Sequence, residues 1–240
     1  MNTVVILLCA GSGSRMRGKV SDKILTELQG RPIFEYSVLA FEEMKETSSY
    51  VVVYRDAGQR PHLQECFESI TTKQVQWIRG GQERQESVFN ALEAAPADTD
   101  LVMIHDCARP LVRTESLIEV HQAAVKDKSA VLAHRVIDTI KQIADSSSIQ
   151  QAKLQNLDRK NLWAMETPQA FSWKLILGCY RKLNEEGIQV TDDTAAVIHF
   201  DYPVTVVENH FPNPKITLPE DLALAELMLH QESQKDMLQP

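Results

Sequence analysis

The sequence lacks an apolar stretch that is long enough to cross a bilayer. Its longest strongly apolar run, residues 4–10, is far short of the roughly 20 residues that a transmembrane helix needs. No basic segment precedes this run, as one does in a secretory signal peptide. We therefore expect a cytoplasmic protein without a membrane partner.

The sequence also has few cysteines and no excess of basic residues. Cys9, Cys66, Cys107 and Cys179 are scattered without a C-x-x-C pair, which argues against a disulfide framework and against a zinc site. The 25 Lys and Arg residues stand against 33 Asp and Glu residues, a formal net charge of −8. Because such a surface repels a long polyanion, a nucleic-acid partner is disfavoured, whereas a local basic cluster can still bind a small phosphate.

What the sequence does contain is an alternation of short apolar runs with segments of helical spacing. We predict strands at residues 3–9, 50–55, 75–78, 101–105, 130–134 and 204–207. Strands that are apolar on both faces and alternate with helices predict an α/β fold with a doubly wound, mostly parallel, Rossmann-like nucleotide-binding sheet. For 240 residues we expect one domain over residues 1–230 and a C-terminal tail over residues 231–240.

Residues 135–171 break this alternation, and we place an arm within them at about residues 136–166. Two short strands, at residues 137–143 and 162–165, flank a polar stretch at residues 145–160, which predicts a β-hairpin arm that projects from the body. A two-stranded hairpin is marginally stable alone and needs a surface to pack on. We therefore expect a homodimer formed through the arm.

In a sheet of this kind, ligands bind at the carboxyl ends of the strands, and a glycine-containing loop follows the first predicted strand. Gly11 and Gly13 allow the backbone to turn sharply and bring its N–H groups against phosphate oxygens. Arg15 and the nearby Lys23 favour phosphate binding over a simple turn. The spacing fits neither a P-loop nor a dinucleotide fingerprint, whose third glycine would have to replace Met16. A redox enzyme with a dinucleotide cofactor is therefore disfavoured.

Two further loops at strand ends carry polar groups. After the third predicted strand, Gly81, Gln82 and Ser87 can face the edge of a planar base, although paired glycines alone also suit a turn. After the fourth, Asp106 and Arg109 follow His105. A carboxylate beside a bound triphosphate suits Mg²⁺ or a ribose hydroxyl. We interpret His105 as a structural residue and not as a nucleophile.

The ordered motifs A-G-S-G-S-R-M, G-G-x-x-R-x-x-S-V, H-D-x-A-R-P, D-T-I-K, D-R-x-x-L-W, T-P-Q-x-F, T-D-D and N-x-K-I-T-x-P-E-D-L run through nearly the whole chain. Together they resemble the 2-C-methyl-D-erythritol 4-phosphate cytidylyltransferase family of the non-mevalonate isoprenoid pathway. The resemblance implies that CMP moves from CTP to 2-C-methyl-D-erythritol 4-phosphate, with Mg²⁺ as cofactor. It also implies a homodimer in which the arms of two subunits interlock.

The resemblance further implies a role for individual residues. CTP would be bound by Ala10, Gly11, Ser12, Gly13, Gly81, Gln82 and Ser87. The residues implied to be catalytic are Arg15, Lys23, Arg159 and Lys215, the first two at the CTP α-phosphate. The polyol phosphate would be bound by Asp106, Arg109, Thr139 and Thr191. Asp106 would also hold the metal, and Thr139 and Arg159 would come from the arm of the partner subunit.

The sequence departs from the family pattern in ways that keep alternatives open. Asp22 stands where the family has proline, and an acid beside Lys23 is expected to partly neutralise its field, so Lys19 is a rival for the catalytic role. Glu166 and Pro214 are also unusual near the alcohol pocket. A ribitol-5-phosphate cytidylyltransferase therefore remains an alternative, as does a nucleotide-binding module without turnover.

Overall fold

The structure, a computed structural model, describes residues 1–11, 13, 16, 22–143 and 149–238, with side chains up to residue 231. The strands are β1 (Thr3–Leu8), β2 (Glu27–Leu28), β3 (Arg31–Pro32), β4 (Thr47–Tyr54), β5 (Val75–Arg79), β6 (Leu101–Asp106), β7 (Ser129–Arg135), β8 (Lys141–Ile143), β9 (Leu154–Asn156), β10 (Trp163–Ser172) and β11 (Thr205–Glu208). The helices are α1 (Ile33–Glu43), α2 (Gln59–Ile70), α3 (Arg84–Ala94), α4 (Thr114–Asp127), α5 (Trp173–Glu186), α6 (Asp193–Ile198) and α7 (Pro219–Leu238).

Seven strands form one central sheet in the order β11-β7-β10-β6-β1-β4-β5. Strand β1 pairs in parallel with β4 and β6, β4 with β5, and β7 with β11. Strand β10 is antiparallel to both of its neighbours, β6 and β7. The predicted doubly wound, mostly parallel α/β sheet is therefore confirmed, and all six predicted strands lie in it.

The apolar run of β1 explains why the sheet is covered on both faces. Val4 and Ile6 belong to one core cluster, and Val5 and Leu7 belong to the other, because successive strand residues point to opposite faces. Helices α1, α2 and α4 contribute to the Val5 side, and α3, α5 and α6 contribute to the Val4 side. Packing on both faces fixes the positions of the strand ends from which the loops start.

The arm is smaller than the sequence predicts, and the prediction of its returning strand is wrong. Strands β8 and β9 form a separate two-stranded antiparallel sheet, and all six of their residues are exposed. Residues 163–165, predicted as the return of the arm, instead begin β10 and pair with β7 in the central sheet. Strand β10 then continues through the T-P-Q motif, with a register irregularity between Met165 and Gln169.

The last helix extends into the segment that was expected to be a tail. Helix α7 ends at Leu238, so residues 231–238 continue it. Near its start, Ala225 packs with Leu28, Ile33 and Ile216 in a small core of its own. In the part of the chain that the structure describes, no helix combines the length and the apolar character that a membrane crossing requires.

Candidate active site

A cleft of about 490 Å³ opens at the carboxyl ends of β1, β5 and β6. It is lined by Leu8, Ala10, Gly11, Gly13, Lys23, Ile24, Arg55, Gly81, Gln82, Glu83, Arg84, Ser87, Asp106, Ala108, Lys215 and Thr217. The three loops that the sequence singled out thus meet in one place. Parallel strands produce this convergence because their carboxyl ends lie at the same edge of the sheet.

The loop after β1 has a conformation that requires glycine. Gly13 has a φ of +62°, in the left-handed region that other residues adopt at a cost. Its Cα also packs closely on Lys23, since a Cβ at this position would lie 3.5 Å from the Cβ of Lys23. Ser12, Arg15 and Lys19 lie outside the described residues.

Lys23 lies in the wall of the cleft and is only 8% exposed. Its Nζ donates to the backbone carbonyl of Ile216 at 2.8 Å, which ties the first loop to the segment after β11. The neighbouring acid, Asp22, forms an ion pair with Arg55 at 3.0 Å and accepts from Gln59 at 2.9 Å. A cation in the same cleft therefore offsets the charge that was expected to weaken Lys23.

The loop after β5 is packed tightly against the first loop. A Cβ on Gly80 would lie 2.6 Å from the Cβ of Ala10, a distance that real structures do not tolerate, so only glycine fits. Ser87, in the first turn of α3, accepts from the Gly81 amide at 3.0 Å. The Gln82 amide donates to the Glu86 carboxylate at 2.8 Å. Gly81, Gln82 and Ser87 thus form one wall of the cleft.

Asp106, at the end of β6, lies between two cations. One carboxylate oxygen accepts from Lys215 Nζ at 2.5 Å, and the other accepts from Arg84 Nε at 3.3 Å. Burial alone would raise the pKa of Asp106, but Arg84 and Lys215 outweigh it and hold the pKa well below its usual range. Asp106 is therefore a carboxylate at any physiological pH.

His105 is fully buried beneath the cleft floor. Its ring is hydrogen-bonded to Ser37 at 3.2 Å and to Thr167 at 3.1 Å. Burial lowers the pKa of His105 to about 4, so the ring is neutral near pH 7. These contacts support the predicted structural role, since the ring does not reach the cleft surface.

Three predicted substrate residues and one residue predicted to be catalytic, Arg159, do not line this cleft. Arg109 is beside it, where its Nη1 donates to the carbonyl of Asn213 at 2.7 Å and burial lowers its pKa. Thr191 lines a neighbouring cavity of about 460 Å³ that shares Arg84 with the cleft. Thr139 and Arg159 are exposed on the arm, and Arg159 donates to a carbonyl of the arm itself at 2.6 Å.

Sequence reasoning missed the charged residues Arg55, Glu83 and Arg84 in the cleft wall, and Asp193, which pairs with Arg84. Arg84 forms a bidentate pair with Asp193, at 3.1 and 2.8 Å. Arg84 and Asp193 stand inside motifs of the family pattern, as R in G-G-x-x-R and as the second D in T-D-D. Their pairing joins positions 109 residues apart, so no local pattern could indicate it.

The described residues contain no cluster of three or more His, Cys, Asp or Glu side chains that could hold a metal ion by themselves. Asp106 nevertheless offers an ionised carboxylate in the cleft, whose lining also includes Glu83. Mg²⁺ is typically bound by one or two carboxylates and by the phosphates of its substrate. The donor set therefore fits a Mg²⁺ ion that arrives with a nucleotide, with Asp106 as its ligand.

Comparison with known proteins agrees with this geometry. The model of the 2-C-methyl-D-erythritol 4-phosphate cytidylyltransferase family matches residues 3–231. The enzyme of that name from Caldanaerobacter subterraneus subsp. tengcongensis is 37% identical over 95% of this chain and 99% of its own. The one from Synechococcus elongatus is 38% identical over 95% of this chain and 96% of its own.

Solved structures are similar as well. The 4-diphosphocytidyl-2C-methyl-D-erythritol synthase of Anaerococcus prevotii superimposes with a TM-score of 0.84 at 28% identity, covering 95% of this chain and 96% of that one. The 2-C-methyl-D-erythritol 4-phosphate cytidylyltransferase of Thermus thermophilus gives a TM-score of 0.75 at 28% identity, covering 95% and 98%. The chain therefore belongs to the 2-C-methyl-D-erythritol 4-phosphate cytidylyltransferase family and is a nucleotidyltransferase.

Proposed function

We propose that this enzyme transfers CMP from CTP to 2-C-methyl-D-erythritol 4-phosphate and releases pyrophosphate. The observation that carries the proposal is the convergence of Gly11, Gly13, Lys23, Asp106 and Lys215 in one cleft at the carboxyl ends of parallel strands. The glycine backbone and the two lysine ammonium groups suit a triphosphate, and the carboxylate of Asp106 suits its metal ion. Membership of the family supports CTP as the nucleotide and 2-C-methyl-D-erythritol 4-phosphate as the acceptor.

Within the cleft, the two glycine loops are suited to different parts of CTP. The loop of Gly11 and Gly13, next to Lys23, would take the triphosphate. The wall formed by Gly81, Gln82 and Ser87 would face the cytosine. Because the Ser87 hydroxyl accepts from Gly81, it retains its own proton and can donate it to an acceptor on the base.

The reaction would need no dedicated general base. A phosphate monoester is mostly dianionic near neutral pH, since its second pKa is about 6. One of its oxygens forms a bond to the α-phosphorus of CTP while the bond from that phosphorus to the pyrophosphate oxygen breaks. Catalysis would then come from positioning and from cations where charge develops, namely Lys23, Lys215 and, as the resemblance implies, Arg15.

Mg²⁺ belongs to the same proposal. When bound, it would supply a cation that neutralises phosphate charge. Asp106 would hold it, and Asp106 is kept ionised by Arg84 and Lys215. Since Lys215 contacts Asp106 directly, we expect the lysine to shift toward the substrate phosphates when the metal ion takes its place.

The alcohol pocket would be completed by a second subunit. Thr139 and Arg159 are exposed on the arm. Among the described residues, neither lines the cleft of its own chain. The arm also exposes several large apolar side chains, namely Ile137, Ile140, Ile143, Ile149, Leu154 and Leu157. Contiguous exposed apolar groups mark interaction surfaces, so we propose a homodimer in which each arm reaches the partner's cleft. The cytoplasmic location stays a prediction.

The test is an assay of pyrophosphate release by purified protein with CTP and Mg²⁺. Parallel reactions contain 2-C-methyl-D-erythritol 4-phosphate, ribitol 5-phosphate or neither acceptor. We expect release with the first acceptor and at least ~10-fold less with the second, since a buried polar site rejects a poorly matched alcohol. Preferential release with ribitol 5-phosphate, or no release with either acceptor, would overturn the proposed substrate.

A further inference from the structure

A chain of polar groups leads from the cleft through the partly buried Arg84 to a fully buried carboxylate in α6. The guanidinium of Arg84 donates through Nε to Asp106 at 3.3 Å, and through Nη1 and Nη2 to Asp193 at 3.1 and 2.8 Å. One planar cation therefore bridges two carboxylates. The carboxylate of Asp106 lies in the cleft, whereas that of Asp193 has no exposed surface at all.

Asp193 also forms hydrogen bonds with two further residues. The hydroxyl of the fully buried Tyr180 donates to its Oδ1 at 2.5 Å. Its backbone amide donates to the side-chain carbonyl of Gln169 at 3.0 Å. Asp193 also lies in the first turn of α6, directly after the residue that caps this helix, Asp192. The carboxylate thus has one orientation, set by α5, α6 and β10.

The charge of Asp193 needs an explanation beyond packing. Burying a carboxylate and a guanidinium is costly, and well-packed apolar residues often give equal or greater stability. The ion pair also shifts the pKa of Arg84 itself and of the neighbouring Tyr180. Burial alone would lower the pKa of Arg84, but Asp193 and Asp106 outweigh it and raise that pKa well above its usual range. Burial and Asp193 likewise raise the pKa of Tyr180 well above its usual range.

The planar geometry of the Arg84 guanidinium indicates what the charge of Asp193 does. A guanidinium is planar and rigid, so the two contacts to Asp193 also fix the direction in which Nε points. Nε points at one oxygen of Asp106, and the other oxygen of Asp106 faces Lys215. Rotation of Arg84 would release Asp106 from this arrangement.

We propose that Asp193 and Tyr180 are positioning residues for the transfer reaction, which act through Arg84 to hold Asp106 in its catalytic orientation. The inference rests on the proposed function, because it assigns Asp106 its role there. Neither Asp193 nor Tyr180 lines the cleft. Arg84 is the residue that contacts both Asp193 and the cleft carboxylate of Asp106, so we assign their effect on turnover to Arg84.

The direct test is Asp193→Asn, which keeps the shape of the side chain and removes the charge. Loss of groups that orient a metal ligand typically lowers activity by ~10–100-fold. We expect kcat to fall by that factor, while KM for CTP changes by less than about 3-fold, because the phosphate and base loops are intact. Tyr180→Phe keeps the ion pair and should lower kcat by a smaller factor, about 3-fold.

A double-mutant cycle with Arg84→Lys separates positioning from general damage. Lysine keeps a positive charge but cannot bridge two carboxylates with fixed geometry. If Asp193 acts through Arg84, then adding Asp193→Asn to Arg84→Lys should lower kcat by no more than about 2-fold further. Independent effects that multiply would contradict the proposal.

The control is a second tyrosine–carboxylate–cation group, partly buried, whose residues do not line the cleft. Tyr50 donates to Glu42 at 2.5 Å, and Lys73 donates to the same oxygen at 3.0 Å. Glu42→Gln should lower the thermal midpoint as Asp193→Asn does, yet leave kcat unchanged. A loss of kcat in Glu42→Gln that matches the loss in Asp193→Asn would mean that both variants act by destabilisation.

A crystal structure of Asp193→Asn decides the inference without any turnover. We expect Arg84 Nε to move beyond hydrogen-bond distance of Asp106, and Asp106 to rotate toward Lys215. Unchanged positions of Arg84 and Asp106 would overturn the inference even if the wild-type enzyme is active. If the wild-type protein releases no pyrophosphate, the proposed function fails, and the crystal structure still decides the positioning role.

Discussion

In the cleft, Lys23, Ser87 and Asp106 are each between 6% and 8% exposed, whereas on the arm every residue of β8 and β9 is exposed. The cleft side chains are fixed by contacts from several strands and helices of one chain. The contacts of the arm lie mostly within its own hairpin. This difference is what the proposed function requires: the proposed nucleotide half of the active site draws on one subunit, and the exposed arm is available to a partner subunit.

In the cleft, the largest loss of activity is expected when the buried Lys23 is replaced. Lys23→Met should lower kcat by ~10²–10³-fold, because a cation aimed at developing phosphate charge contributes mainly in the transition state. The measurement is steady-state pyrophosphate release. Lys73→Met, at a lysine that pairs with Glu42 and lies outside the cleft, should be nearly as active as wild type.

The rival lysine is tested in the same experiment. Lys19→Met should retain most of its activity if Lys23 is the catalytic residue. An inactive Lys19→Met beside an active Lys23→Met would reverse the assignment.

The arm side is tested by its exposed arginine. Arg159→Ala should lower kcat/KM for the alcohol phosphate by ~10–100-fold and leave KM for CTP unchanged, because a charge-assisted phosphate contact is lost. Lys160→Ala, at the next exposed cation of the arm, is the control. Equal losses in both variants would point to a general effect of charge on the arm.

Mixing the two defective proteins shows which subunit the arm serves. In a mixed dimer of Lys23→Met and Arg159→Ala, an arm that acts on its partner restores one complete site. Equal mixing should then recover about a quarter of wild-type activity, since about half of the dimers are mixed and each has one working site. No recovery, in dimers shown to exchange subunits, would place Arg159 in the cleft of its own chain.

Beneath the cleft, the buried histidine should make stability depend on pH. His105 is neutral in the folded state, with a pKa of about 4, but titrates near ~6.5 when unfolded. Its contribution is complete above pH ~6.5 and is lost as the pH falls toward 4. Urea unfolding should show a loss of about 2 kcal/mol from this group between pH 7 and 5. The free energy of unfolding should depend less on pH in His105→Gln than in wild type. In His62→Gln, at an exposed position, this pH dependence should be unchanged.

The smallest effect is expected from apolar side chains of the arm. Leu154 is 59% exposed, so Leu154→Ala should change the free energy of unfolding of the dilute monomer by less than ~0.5 kcal/mol. Leu63 is fully buried, and Leu63→Ala should cost ~2–5 kcal/mol. Similar costs for the two variants at low protein concentration would mean that the arm packs on its own subunit.

The sheet and the cleft could be predicted well because both depend on local patterns. Apolar runs located the six strands, and strand ends followed by Gly11, Gly13, Gly81 and Asp106 located the cleft, since parallel topology brings these ends together. The boundaries of the arm were less predictable. The local sequence of residues 163–165 suits either the second strand of a hairpin or the start of β10. Only their pairing with β7 distinguishes the two arrangements.

Long-range polar pairing could not be predicted at all. Nothing near Asp193 indicates that its carboxylate is buried against Arg84, or that Arg84 reaches Asp106. Likewise, Asp22 was expected to act on its neighbour Lys23, and the structure shows its ion pair with Arg55 instead. Such pairs depend on how helices and loops from distant parts of the chain are placed, which hydrophobic periodicity does not encode.

The most direct test of the proposed nucleotide site is a crystal structure of the enzyme with CTP and Mg²⁺. We predict the triphosphate against Gly11, Gly13 and Lys23, the cytosine against Gly81 and Ser87, and the carboxylate of Asp106 at the metal ion. A nucleotide bound in the neighbouring cavity at Thr191, or anywhere else outside the cleft, would contradict this assignment.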